Sequence, residues 1–488
     1  MQMLIDGRWV ESRAGGRMDV LEPATGARID QVPIATDEDV AATITAAVQG
    51  RRRMAALPAH ERSAILIRAA DQIVAHQEEL AHLLARENGK PVRQAREEVA
   101  AAARIFRGFG QEATRLFGRQ VPMDAVPGME RHVAFTIRQP VGVVAAIVPF
   151  NYPVELYAHK VAAGLAAGNA VIGKPPSDCP LAVLRIAEIL EDAGLPRAGH
   201  QVLTGPGSRI GPLLAADPGV DLVTLTGSVE TGVQLGRIAA THMKPFLAEL
   251  GGNDAVIVCA DADLEQAANA VVLGRLARGN GQICCAVKRV FVDQVVHEAF
   301  AAILVRMAKG LWVGDPLDER CDVGPLISEQ AAIQVQATID AAVADGASLL
   351  AGGERRGPFV QPTILANLRP SATVIREETF GPVVPLIAFA SVDDALEMAN
   401  DSPYGLQAAV FTNDIRTAMN VAYRLEAGGV MVNWSSALRA ENLPFGGVKM
   451  SGHGREGLHD SLLAMTQQKV ILFHDALPVA GTDGDDHA

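Results

Sequence analysis

Val143-Val144-Ala145-Ala146-Ile147-Val148 runs directly into Pro149-Phe150-Asn151-Tyr152-Pro153, and then into Val154-Glu155-Leu156-Tyr157-Ala158-His159-Lys160. An unbroken apolar run, stopped by a Pro/Asn loop and followed by a helical segment, reads as a buried parallel strand with its crossover helix. The unit recurs. Strands are read at 143–148, 170–172, 200–203, 222–226 and 245–248, with helices such as 181–193 and 231–240 between them. This pattern predicts an α/β protein with a parallel sheet, and in such sheets ligands sit at the carboxyl ends of the strands.

Working outward, a second α/β pattern begins after Glu249: a strand at 255–258, a helix from 264 toward 278, and a strand at 288–292. Its last clear elements are 429–433 and the loop Pro444-Phe445-Gly446-Gly447-Val448-Lys449. Upstream of the first strand, 37–116 has helical periodicity, and 3–10 reads as a hairpin turning at Asp6-Gly7. Between 118 and 139, Pro122, Pro127 and Gly128 punctuate short β-prone runs, which suggests a hairpin projecting from the body. A final strand is read at 469–473, and the tail beyond is polar and acidic enough to be disordered.

The 488 residues exceed one simple core, so two or three domains are expected. With 49% hydrophobic and 20% charged residues, the composition is that of a soluble globular protein. A net charge of −13 disfavours nucleic acid and anionic membranes as partners. No apolar run approaches the length of a membrane span, and the first residues show no signal peptide. Cys179, Cys259, Cys284, Cys285 and Cys321 make an odd count without metal-ligand spacing, so free thiols in the cytoplasm are expected, and no metal site.

Two segments carry chemistry. Glu249-Leu250-Gly251-Gly252-Asn253 places a carboxylate on a Gly-Gly turn, and Asn280-Gly281-Gln282-Ile283-Cys284-Cys285-Ala286 places a thiol on a Gly-Gln loop. A thiol and a carboxylate are what covalent aldehyde oxidation requires: one adds to the carbonyl, the other drives water onto the resulting thioester. Spacing alone does not choose between Cys284 and Cys285. Both segments resemble the signatures of the aldehyde dehydrogenase superfamily, and the resemblance extends over nearly the whole chain. Its Gly-Gln-x-Cys pattern selects Cys284 as nucleophile. It implies that Asn151 and the Cys284 backbone N–H form the oxyanion hole, and that Glu249 is the general base for deacylation. Relatives that transfer the acyl group to coenzyme A typically lack this glutamate, so Glu249 implies release of a free acid.

The ordinary GxGxxG fingerprint is absent. Gly205-Pro206-Gly207-Ser208-Arg209-Ile210-Gly211 has one residue too many and by itself reads as a strand-to-helix turn. Thr226-Gly227-Ser228-Val229-Glu230-Thr231-Gly232 follows a strand and opens a helix whose N–H groups suit a pyrophosphate. These segments resemble the family's own dinucleotide site. The resemblance implies that Ser228 meets the pyrophosphate, that Gly207 lets the chain approach, and that Phe150 and Lys174 lie along the nucleotide. It places Glu378 at the nicotinamide ribose and Phe380 near the ring. Ser177 stands where NAD-preferring members often carry a glutamate that repels a 2′-phosphate, so NADP is expected to be accepted, alongside NAD.

Matching by the motif puts Leu156 and His159 on the substrate side, Arg439 near the pocket mouth, and Arg104 on an N-terminal helix as a further candidate. A histidine and an arginine favour a short polar or anionic aldehyde; the alternative for Arg439 is a pair with Glu441 or solvent. The neighbouring segments look most like lactaldehyde-type members and relatives acting on semialdehydes or phosphono- and sulfo-aldehydes. The implied architecture has two Rossmann-like parallel-sheet domains, with cofactor binding at 1–117 and 139–248 and catalysis at 249–440. A small β oligomerisation hairpin at 118–138 is joined by return segments at 441–474, with a disordered tail at 475–488. A homodimer or homotetramer follows by analogy. Two rivals remain: a catalytically silent dinucleotide-binding or structural protein, and a cofactor-independent thiol esterase.

Overall fold

Two large sheets organise the computed structural model, which describes residues 1–478. The first has eight strands in the order Arg8–Val10, Met3–Ile5, His200–Val202, Ala170–Lys174, Val143–Ile147, Leu222–Thr226, Phe246–Glu249 and Gly452–His453. The five from His200–Val202 to Phe246–Glu249 are parallel; Met3–Ile5 on one side and Gly452–His453 on the other run antiparallel to them, and Arg8–Val10 at the edge pairs antiparallel with Met3–Ile5. Every residue of Val143–Ile147 is buried, as a strand covered on both faces requires. Its side chains alternate with period two: Val144 and Ala146 pack with Val154 and Val161 of helix Pro153–Ala166, while Val143, Ala145 and Ile147 meet Ile210, Leu214 and Leu235 on the other face.

The second sheet has the order Ser348–Ala351, Thr363–Ala366, Val383–Phe389, Arg289–Asp293, Ala255–Val258, Gln407–Phe411 and Gly429–Val432. Only its first strand is antiparallel. The expected hairpin is a small antiparallel sheet, Gln120–Val121, Val133–Pro140 and Thr466–Phe473. Among the described residues no helix is long and apolar enough to cross a membrane.

Three features depart from the sequence reading. A hairpin pairs Arg17–Leu21 with Arg28–Pro33; charged residues on its exposed face leave few apolar residues to reveal it. The helix expected over 264–278 is α-helical only for Leu264–Val271, then loosens into a π turn at Val272–Ala277. Gly279 (φ 57°) and Asn280 (φ 54°) then take left-handed conformations, which turn the chain toward Cys284. Within the region read as a return segment, Gly452–His453 adds to the first sheet beside Glu249. Of the tail, Leu477 N–H donates to the Arg131 carbonyl at 3.0 Å, and residues 479–488 lie outside the described part of the chain.

Candidate active site

Glu249 is the last residue of its strand, and its Gly251-Gly252 turn brings two other loops down onto it. A Cβ at Gly251 would stand 2.2 Å from the Glu378 carboxylate, and one at Gly252 would stand 2.8 Å from the Cys284 carbonyl. The buried ammonium of Lys288 ties the same parts together, donating to the Cys284 carbonyl and, at 2.6 Å, to Glu378 Oε1. Glu378 also accepts from the Gly252 N–H at 3.2 Å.

The loop before Cys284 is fixed by its own polar side chains. Asn280 Nδ2 donates to the Gly89 and Pro325 carbonyls, its Oδ1 accepts from the Gly324 N–H, and Gln282 Oε1 accepts from the Ile327 N–H. Arg275, in the π turn, anchors the base of the loop by donating to the Val383 and Thr379 carbonyls, both at 2.7 Å. All five cysteines are free; Cys284 is partly exposed, whereas Cys285 is buried in an apolar cluster with Ile283, Ala286, Leu406 and Phe445. The Cys284 thiol is held below its ordinary pKa by a hydrogen bond from Cys285 and by the Lys288 and Arg439 cations, which together outweigh burial. Cys285 is pushed well up by the same bond and by burial. Exposure and ionisation therefore both favour Cys284 over Cys285 as nucleophile.

The Glu249 side chain is buried and lies against Gly446, where a Cβ would come within 2.6 Å of Oε1. Its Oε2 has no hydrogen-bond partner among the described residues. Burial, then the Glu456 carboxylate, raise its pKa well above the ordinary value, and the Cys284 thiolate adds to that field. Phe445, the residue before Gly446, packs with Cys284 and Cys285, so thiol and carboxyl flank one short segment.

Behind them lies a buried charged cluster that sequence reasoning missed. Lys160 donates to Glu456 Oε1, and Arg439 Nη2 donates to Glu456 Oε2 at 2.7 Å while stacking 4.4 Å over the Phe445 ring. Two cations around one carboxylate hold the Glu456 pKa far down against its burial. The alternative for Arg439, a pair with Glu441, does not form; Glu441 accepts instead from Arg104 at 2.7 Å. His159, beside this cluster, has both ring nitrogens buried and without partners among the described residues, as is Arg439 Nε. Burial, then Arg439 and Lys160, press the His159 pKa well down, so the ring is neutral. Leu156, one helical turn before His159, is buried in the apolar core. Arg104 is exposed and shares with Tyr152, Glu155 and Arg278 a cavity of about 290 Å³.

Asn151 is buried between its strand and helix Pro153–Ala166. A buried ion pair holds the loop: Glu98 accepts from the Val154 and Glu155 N–H groups at the helix start, and Lys90 donates to Glu98 and to the Asn151 carbonyl. Lys90 also lies 3.9 Å over the Tyr152 ring, which packs against the apolar cluster that also borders Cys284.

The residues expected around a dinucleotide form two groups. Lys174 Nζ donates to Ser177 Oγ at 3.2 Å, Ser177 donates to the Gly205 carbonyl at 2.9 Å, and a Cβ at Gly207 would sit 3.5 Å from Lys174 Nζ. Burial lowers the Lys174 pKa to about 8. Exposed Ser228 caps helix Val229–Thr241 by accepting from the Thr231 N–H, leaving the first helical amides facing outward. Nearer the thiol, Phe150 and Phe380 meet edge to face at 5.8 Å, and Lys288 stands 6.0 Å over Phe380. Lys174 with the Ser177 hydroxyl, Gly207 beside it, an open helix start at Ser228 and the Phe150–Phe380 pair form a set that fits an extended dinucleotide.

The chain belongs to the aldehyde dehydrogenase family, whose profile matches residues 9–471. It is an oxidoreductase that uses a nicotinamide cofactor. A 3-sulfolactaldehyde dehydrogenase of Priestia aryabhattai is 40% identical over 97% of this chain and 98% of its own. A lactaldehyde dehydrogenase of Methanocaldococcus jannaschii is 38% identical over 96% of this chain and all of its own length, 100%. The crystal structure of an NADP-dependent glyceraldehyde-3-phosphate dehydrogenase from Bacillus halodurans, complexed with NADP, aligns at a TM-score of 0.94 with 39% identity, covering 97% and 99% of the two chains.

Proposed function

We propose that this enzyme oxidises a short aldehyde bearing an anionic group to the free acid, through a thioester on Cys284. The observation that carries the substrate class is the set of unpartnered buried nitrogens on Arg439 and His159, beside Glu249. Arg439 spends one face of its guanidinium on Glu456, and its Nε remains to receive an anion. The relatives named for sulfolactaldehyde and lactaldehyde support the same reading.

In this mechanism the Cys284 thiolate adds to the aldehyde carbon, and the oxygen takes the negative charge between the Asn151 side-chain amide and the Cys284 N–H. A nicotinamide held by Lys174, Ser228, Glu378 and Phe380 would supply the hydride acceptor, and the acyl group would stay on the Cys284 sulfur as a thioester. Glu249 then takes a proton from water, the water oxygen attacks the acyl carbon, and the Cys284 sulfur departs with the acid released. Aldehyde, oxidised cofactor and water become acid, reduced cofactor and a proton.

A screen of three- and four-carbon aldehydes, neutral against sulfonate-, phosphate- or carboxylate-bearing, tests the class. The anionic ones are expected to have the higher kcat/KM. Arg439→Ala removes that preference by raising KM at least about tenfold for anionic aldehydes, a charge-assisted contact being worth roughly 1.5–3 kcal/mol. Preference for long-chain or aromatic aldehydes overturns the reading.

The cofactor reading has its own test. Both cofactors are expected to support turnover, because a neutral Ser177 hydroxyl leaves room for a 2′-phosphate. Ser177→Glu lowers kcat/KM with NADP at least about tenfold relative to NAD, through repulsion of the phosphate. Wild-type discrimination of about a hundredfold or more against NADP contradicts it.

A further inference from the structure

We infer that His132, His474 and Asp475 form a binding site for a divalent transition-metal ion at the end of the three-stranded sheet, away from Cys284 and Glu249. The strand register Phe473↔Val133 continues outward to set His474 opposite His132, with ring centroids 4.6 Å apart. Asp475 takes a left-handed turn (φ 48°) that folds its carboxylate back, 4.0 Å from His132 Nδ1 and 3.8 Å from His474 Nδ1. The turn is held from below, where Leu477 N–H donates to the Arg131 carbonyl and Arg131 Nε donates to the Leu477 carbonyl. One donor atom from each of the three residues lies within 4.8 Å of the others.

The second observation is His132 itself. Its side chain is only 9% exposed, and Nδ1 is fully enclosed without a hydrogen-bond partner among the described residues. A buried ring nitrogen left in that state is destabilising, and a metal ion is a partner that removes the cost. Two imidazoles and one carboxylate suit zinc, cobalt, nickel or copper rather than magnesium or calcium. Metal–nitrogen bonds of about 2.0–2.1 Å draw the donors closer than they stand, and His474 and Asp475 are exposed and free to swing inward. The Arg131 guanidinium, 3.8 Å from Asp475 Oδ2, competes for that carboxylate and turns aside when the ion binds. The site staples the segment after the last strand to the hairpin, and no cysteine takes part.

The full-length enzyme, stripped with a chelator, is titrated with cobalt(II) and separately with zinc(II). We expect one cobalt per chain with an imidazole–carboxylate spectrum, lacking the thiolate charge-transfer band that binding at Cys284 or Cys285 produces. His474→Ala and Asp475→Asn lose that ion and the zinc-induced rise in melting temperature, while turnover without metal stays at the wild-type level. His474 is exposed, so its variant reports on the site even if His132→Ala folds poorly. Equal metal content in wild type and His474→Ala, or cobalt held only with a thiolate band, overturns the assignment.

Discussion

Cys284→Ala is expected to lose turnover of every aldehyde by at least about a thousandfold, the scale on which a covalent nucleophile is missed, while Cys285→Ala stays within a few-fold of wild type. The neighbours are separated by their surroundings. Cys285 lies in an apolar cluster that keeps its thiol protonated, and it lends its proton to Cys284, which sees Lys288 and Arg439. Losing the Cys285 donor raises the Cys284 pKa, so Cys285→Ala shifts the acid limb of the rate profile to higher pH without abolishing the reaction. Cofactor binding by Cys284→Ala, followed by fluorescence, separates lost chemistry from lost folding. Turnover retained in Cys284→Ala transfers the nucleophile's role to Cys285.

Glu249→Gln is the second large effect. The first turnover survives and yields one reduced cofactor per site, after which steady-state rate falls by about 10²–10⁴, because only deacylation needs the base. Hydroxylamine, which takes the acyl group without help, restores cycling. Wild-type deacylation rises with pH through the elevated Glu249 pKa, and that limb disappears in the glutamine variant. Stability moves the opposite way from the usual active-site loss. A carboxyl whose folded pKa exceeds its unfolded value of about 4.3 binds its proton more tightly when folded, so it costs stability as pH rises above that value toward the folded pKa. Glu249→Gln is freed of that cost and melts at or above the wild-type temperature at pH 8. Absence of a burst, or a wild-type steady state, removes Glu249 from deacylation.

What the sequence disclosed depended on how local the cause was. The strand at 222–226 was legible to the residue because five apolar or β-branched side chains must fill both faces of a buried strand. The π turn was not, since Val272-Leu273-Gly274-Arg275-Leu276-Ala277 has ordinary helical composition, and what loosens it is distant: Arg275 reaching the Thr379 and Val383 carbonyls. Cys284 and Glu249 could be singled out because each adjoins a short glycine-marked turn. Glu456 could not: nothing around Arg455-Glu456-Gly457 hints that its carboxylate gathers Lys160 from one helix and Arg439 from a loop. Lys160 stood inside a segment already singled out, and its burial between the first sheet and Glu456 would have made it a candidate had its partner been visible.

One arrangement bears on how the molecule is made. Strand Phe246–Glu249 is closed on its outer side only by Gly452–His453, and Arg439 and Glu456 arrive with the same late stretch. During synthesis, a nascent polypeptide therefore carries the Cys284 thiol out of the ribosome long before the Arg439 cation beside it, and before the unpaired edge beside Glu249 is sealed. A prematurely terminated product therefore lacks one of the two cations near that thiol and keeps a sticky border.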